Sequence, residues 1–64
     1  MPLGFNYLVN KTGEDAWYEV DAISEEDAIV TQFKERVLFL RRKGNLDIFD
    51  NLDGNQLYSV KEIK

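Results

Sequence analysis

The sequence predicts a small α+β domain of order β–β–α–β–β, a four-stranded mixed sheet (strand order 2-1-4-3) with one helix packed on one face. Three features predict it: two-residue alternation over residues 3–9 and 16–22, a capped helix start at Ser24, and a second turn signal at Asp53-Gly54.

In the first segment Leu3, Phe5, Tyr7 and Val9 alternate with Gly4, Asn6 and Leu8. In the second, Ala16, Tyr18, Val20 and Ala22 alternate with Trp17, Glu19 and Asp21. Residues 10–15 (Asn-Lys-Thr-Gly-Glu-Asp) supply the turn. With Asn10 facing Asp15, the pairs become Val9–Ala16, Tyr7–Tyr18, Phe5–Val20 and Leu3–Ala22. One face is then wholly apolar, and burial of one face selects against a one-residue slip.

Ser24 can cap the open N–H groups of a helix whose first turn carries Glu25, Glu26 and Asp27. Asp27 stands where a capping box has Glu. Ile29, Val30, Phe33, Val37 and Leu40 fall on one arc of about 100°, the width of a core-facing stripe. Arg41, Arg42 and Lys43 would close the helix and Gly44 would cap it, giving a helix over 24–43. Val37-Leu38-Phe39-Leu40 also has strong β propensity and could form a strand turning at Lys43-Gly44-Asn45. The long helix is preferred because no Gly, Pro or Asn separates Arg36 from Val37.

Asn51-Leu52-Asp53-Gly54 fits a type I turn followed by a left-handed glycine, a three-residue hairpin loop with a bulge. That register sets Ile48 against Tyr58 and Leu46 against Val60. A two-residue turn at Asp53-Gly54 would set Ile48 against Ser59 and Leu46 against Lys61, so the bulged loop is preferred. A right-handed crossover would lay the first and last strands side by side as a parallel central pair. This order of elements resembles the immunoglobulin-binding domain of streptococcal protein G. The likeness is one of architecture, and no binding residue carries over from it.

Sixty-four residues make a single domain, 1–64, with a thin core for which self-association is one available support. The chain has no Cys and no His. That removes disulfides, thiolate or imidazole metal ligands, a thiol nucleophile and the ordinary base titrating near neutrality. No apolar run approaches the roughly 18 residues of a membrane span, and the N-terminus lacks a secretory pattern. A cytoplasmic, reducing setting is expected.

Catalytic residues, cofactors and metals are expected to be absent. Asp50-Asn51-Leu52-Asp53-Gly54-Asn55 evokes a calcium loop, but Gly54 at the sixth position would place Phe49 and Val60 where oxygen ligands belong. The adjacent acids Glu14-Asp15 and Glu25-Glu26 fit a solvated surface better than a cleft. Neither a Gly-rich phosphate cradle nor a hydroxyl with a base partner is present, so no small-molecule substrate is expected.

The net charge of −4 is unevenly spread. Residues 1–27 carry seven acids and one base (Lys11), whereas 28–43 carry five bases and one acid (Glu35). Ordinary helix electrostatics accounts for such a gradient. Lys34, Arg36, Arg41, Arg42 and Lys43 are the candidate nucleic-acid contacts. A pI near 4.6 disfavours that reading, and the acidic half could instead mimic DNA.

An excess of apolar residues points elsewhere. Leu8 and Trp17 on one hairpin, and Phe49 and Leu57 on the other, would face outward as a stripe on the sheet face opposite the helix. Leu38 and Phe39 lie off the helix's core stripe and could extend that surface. A contiguous exposed apolar patch marks an interaction site, and Trp is enriched where interfaces are strongest. The expected function is a protein-interaction module, regulatory or inhibitory in kind as in small phage-encoded proteins. It would bind a partner protein or a second copy, as in a homodimer.

Overall fold

The computed structural model describes residues 4–63 and is a small α+β fold, one helix on an antiparallel sheet. The strands are β1 (Phe5–Lys11), β2 (Tyr18–Ala22), β3 (Val37–Lys43), β4 (Leu46–Asn51) and β5 (Leu57–Ile63), and the helix is α1 (Glu25–Phe33). They form one five-stranded sheet of order β2-β1-β5-β4-β3, every neighbouring pair antiparallel.

The helix start is as expected. Ser24 Oγ accepts from the Asp27 N–H at 3.1 Å, and the Asp27 carboxylate accepts from the Ile23 N–H at 3.5 Å. The helix end is not. Lys34 takes the left-handed conformation (φ 59°) and donates its N–H to the Val30 carbonyl at 2.8 Å, closing the helix without a glycine. Residues 37–43 then form a strand, so the long helix over 24–43 is corrected. The β-branched and aromatic run Val37–Leu40 gains a full ladder with β4, which outweighs the cost of one non-glycine left-handed residue.

This extra strand reverses the direction of everything after it. The first and last strands therefore meet antiparallel, Val9 opposite Val60, instead of as the expected parallel pair. Gly44 is left-handed (φ 63°), as expected, but in the two-residue Gly44-Asn45 turn of the β3–β4 hairpin.

Both remaining hairpins differ in register. In the first, Tyr7 faces Val20 and Val9 faces Tyr18, two residues from the expected pairing. Asn10 explains the shift: its buried Nδ2 donates to the carbonyls of Glu14 and Ala16, both at 2.8 Å, holding open a wider loop. A two-residue shift preserves the faces, so the inward set survives. The expected Leu3–Ala22 pair lies outside the described residues. In the second hairpin Phe49 faces Tyr58 and Ile48 faces Ser59, one residue from the expected pairing of Ile48 with Tyr58. Asn51 Oδ1 accepts from the Asn55 N–H at 3.0 Å, and the Asn51 N–H donates to the Gln56 carbonyl at 3.0 Å. The side chain thereby accommodates one more loop residue than a bulged three-residue loop contains.

The core lies between α1 and the sheet, where Tyr7, Val9, Val20, Ala22, Phe49, Tyr58 and Val60 meet Ala28 and Ile29 of the helix and Val37. Burying a side chain such as Ile29 or Val60 contributes about 1.5–3 kcal/mol. Phe33 closes the core's end, its ring 5.1 Å from that of Tyr58 and 6.0 Å from that of Tyr18.

Candidate functional site

β3 is an edge strand, hydrogen-bonded among the described residues to β4 on one side only. It carries three consecutive exposed apolar side chains, Leu38 (60%), Phe39 (57%) and Leu40 (45%). A simple strand would alternate them between faces. A bulge between Phe39 and Arg41 takes Leu40 out of the ladder. Phe39 lies on the helix side with its ring 5.6 Å from Phe49, edge to face. Leu38 stands opposite Asp50, in the row that continues to Leu57 on the other face.

Between this edge and the helix runs a groove of about 580 Å³. Ile23, Val30, Val37, Leu38 and Leu52 line it, with Glu26, Asp27 and Arg36 among its polar groups. Next in the chain to the groove residues Arg36 and Leu52 stand Glu35 and Asn51, members of a hydrogen-bonded cluster. Glu35 accepts from Tyr58 Oη and from Asn51 Nδ2, both at 2.8 Å, and Asn51 Nδ2 also donates to Asn55 Oδ1 at 2.7 Å. These donors hold the Glu35 carboxyl below its ordinary value. Burial, reinforced by Glu35, pushes the Tyr58 phenol up to about 12.

The outer-face stripe expected from the sequence does not form. Phe49 is buried on the helix side, because the β4 register differs by one residue. Trp17 precedes β2, and Glu19 takes the place opposite Leu8. Its ring instead carries Lys61 Nζ 6.0 Å from the centroid. Leu8 and Leu57 face outward half-buried, as expected, and Ile48 is buried on that face beside Ser59. Leu38 and Phe39 are exposed as expected, but on a strand.

The five candidate basic residues are dispersed. Lys34 caps the helix and Arg36 lines the groove. Arg41 and Lys43 flank an outer-face hollow of about 320 Å³ with Leu46, Ile48 and Leu57. Arg42 lies on the helix side, its guanidinium 3.6 Å from Asp47. Such scatter does not make the single basic stripe that a nucleic-acid backbone favours. Beside Arg42, burial and a hydrogen bond shared with Asp47 push the Glu25 carboxyl up to about 7. Among the described residues no cluster of three His, Cys, Asp or Glu could hold a metal ion, and no helix is long and apolar enough to cross a membrane.

Sequence reasoning missed Ile23, Leu40 and Leu52 as exposed apolar residues, and the half-buried Val30 as one that lines the groove. The available signal was the run Val37–Leu40 followed by Arg41–Lys43, apolar then basic, which suits an edge strand better than a helix end. Comparison with protein-family models, with curated proteins and with solved structures finds no match to this chain.

Proposed function

We propose that this protein is a small non-enzymatic interaction module, regulatory or inhibitory in kind, that receives a strand of a protein partner at the β3 edge. One observation carries the reading: three adjacent exposed apolar side chains sit on an unpaired sheet edge beside an apolar groove. An open edge offers backbone donors and acceptors to another chain, and natural proteins blunt such edges with charge. Arg41, Arg42 and Lys43 blunt the second half of β3, while Val37–Leu40 stays open. An added strand would gain main-chain hydrogen bonds there and place alternate side chains in the groove. The absence of Cys and His supports the non-enzymatic part. The binding surface is thus an edge rather than the outer sheet face.

The test is the double variant Leu38→Lys with Leu40→Lys. Both side chains are exposed, so the fold should change in stability by no more than about 0.5 kcal/mol per site. The reading predicts that capture of a partner, or of a second copy, weakens roughly tenfold or more in the variant. Undiminished capture by a folded variant would overturn it.

A further inference from the structure

We propose that the strand received at β3 is β2 of a second copy of this chain, so that molecules add head to tail and the sheet continues from one to the next. The inference rests on β3 being the binding edge and names its partner. β2 is the other edge of the same sheet. It carries Glu19 and Asp21, both exposed, and no base. At its start stand Trp17 (42% exposed) and Tyr18 (37%). β3 has the complementary layout, with Leu38 and Phe39 at its start and Arg41, Arg42 and Lys43 at its end.

The topology aligns the two edges. All neighbours are antiparallel in a five-stranded sheet, so the outermost strands β2 and β3 run in the same direction. Through Val9, Val60 and Asp47 the registers set Tyr18 level with Arg42, so a copy laid beside β3 must also slide by two ladder positions to bring Tyr18 beside Phe39, a shift that keeps every side chain on its face. Trp17 and Tyr18 would then lie near Leu38 and Phe39, and Glu19 and Asp21 near Arg41 and Lys43. The faces agree as well. Glu19 stands opposite Leu8, on the outer face. Arg41 stands opposite Ile48, which stands opposite Ser59, which stands opposite Asn10 on that same face. Among the described residues the one ion pair is Arg42–Asp47, so Arg41 and Lys43 are free to meet acids.

Charge argues against the two-fold alternatives. Pairing β3 with β3 would bring together two basic edges, and β2 with β2 two acidic ones. A head-to-tail contact joins opposite signs and generates a ring or an open filament. With only five residues in β2 the contact is small, so association should be weak and appear at high concentration.

Sedimentation velocity over a hundredfold concentration range at low salt tests this. The wild-type sedimentation coefficient should rise with concentration and fall back at high salt. Glu19→Lys with Asp21→Lys makes both edges basic, and Arg41→Glu with Lys43→Glu leaves β3 without its basic end. Each variant, shown folded by circular dichroism, should stay monomeric. An equimolar mixture should associate again, the basic β3 of the first taking the acidic β2 of the second. Because the chain lacks cysteine, separate Glu19→Cys and Arg41→Cys chains should form a mixed disulfide on oxidation. A wild type that is monomeric throughout, charge variants that still associate, or a disulfide formed mainly between two Arg41→Cys chains would overturn the proposal. The two readings fail separately: if Leu38→Lys with Leu40→Lys abolishes an association that both charge variants retain, β3 is the binding edge and β2 is refuted as its partner, whereas an association that survives Leu38→Lys with Leu40→Lys overturns the edge reading itself.

Discussion

Asn51 ties three segments together through one amide group. It is buried, and its partners Glu35 and Asn55 lie on the helix–strand connection and in the β4–β5 loop. Asn51→Ala leaves those groups unpaired and should cost about 1–3 kcal/mol in urea unfolding. Gly4 is constrained differently: a Cβ there would run into the backbone carbonyl of Ala22. Backbone cannot yield as a side-chain tip can, so Gly4→Ala should cost about 1–3 kcal/mol, read as a lower urea midpoint. Two carboxyls set the pH dependence. Glu25 has a folded pKa raised from 4.5 to about 7, so its contribution is full below 4.5 and is lost as pH rises through 7. Glu35 is lowered from 4.5, so its contribution holds above that value and is lost as pH falls through the lower folded pKa. Stability should therefore peak near pH 4.5. Glu25→Gln should flatten the decline between 4.5 and 7, and an unchanged decline would remove Glu25 as its cause.

At the scale of elements, the connection between α1 and β3 decides the fold. Lys34 holds a left-handed conformation that costs an ordinary residue about 1–2 kcal/mol. Lys34→Gly should relieve this, with a net gain of up to about 1 kcal/mol after the greater freedom of glycine in the unfolded chain. A rise of a few degrees in Tm would show it, and a fall would mean that Lys34 makes a contact worth more than the strain. The same residue explains the limit of sequence reasoning. Helix starts are written in side chains, and Ser24 and Asp27 were legible as a cap. A helix end at Lys34 is set by the ladder that Val37–Lys43 forms with β4, a gain that local propensity does not encode. The two alternating strands and their inward faces were legible for the same local reason. The registers depended on the side chains of Asn10 and Asn51 reaching across their loops, which no periodicity reveals. Misreading the second register turned Phe49 outward, and with it the predicted surface moved to the wrong face. Leu38 and Phe39 were legible as exposed apolar residues, although the edge that presents them was not.

For the whole molecule, the uneven charge of the sequence becomes a polarity across the sheet. The acids Glu19 and Asp21 lie on one edge and the bases Arg41, Arg42 and Lys43 on the other, with α1 linking the two edge strands. The helix macrodipole does not account for Arg41, Arg42 and Lys43, which stand on β3, and of the basic residues only Lys34 sits at the end of α1, as its cap. What remains unblunted is the apolar start of β3 and the groove beside it. The most direct test is an amide NMR titration of the isotope-labelled chain, raising either its own concentration or that of a captured partner. The account predicts that the shifts concentrate in Val37–Lys43 and along the groove at Ile23, Val30 and Leu52. Shifts centred on Leu8, Ile48, Leu57 and Lys61, with β3 unmoved, would contradict it and return the binding surface to the outer face of the sheet.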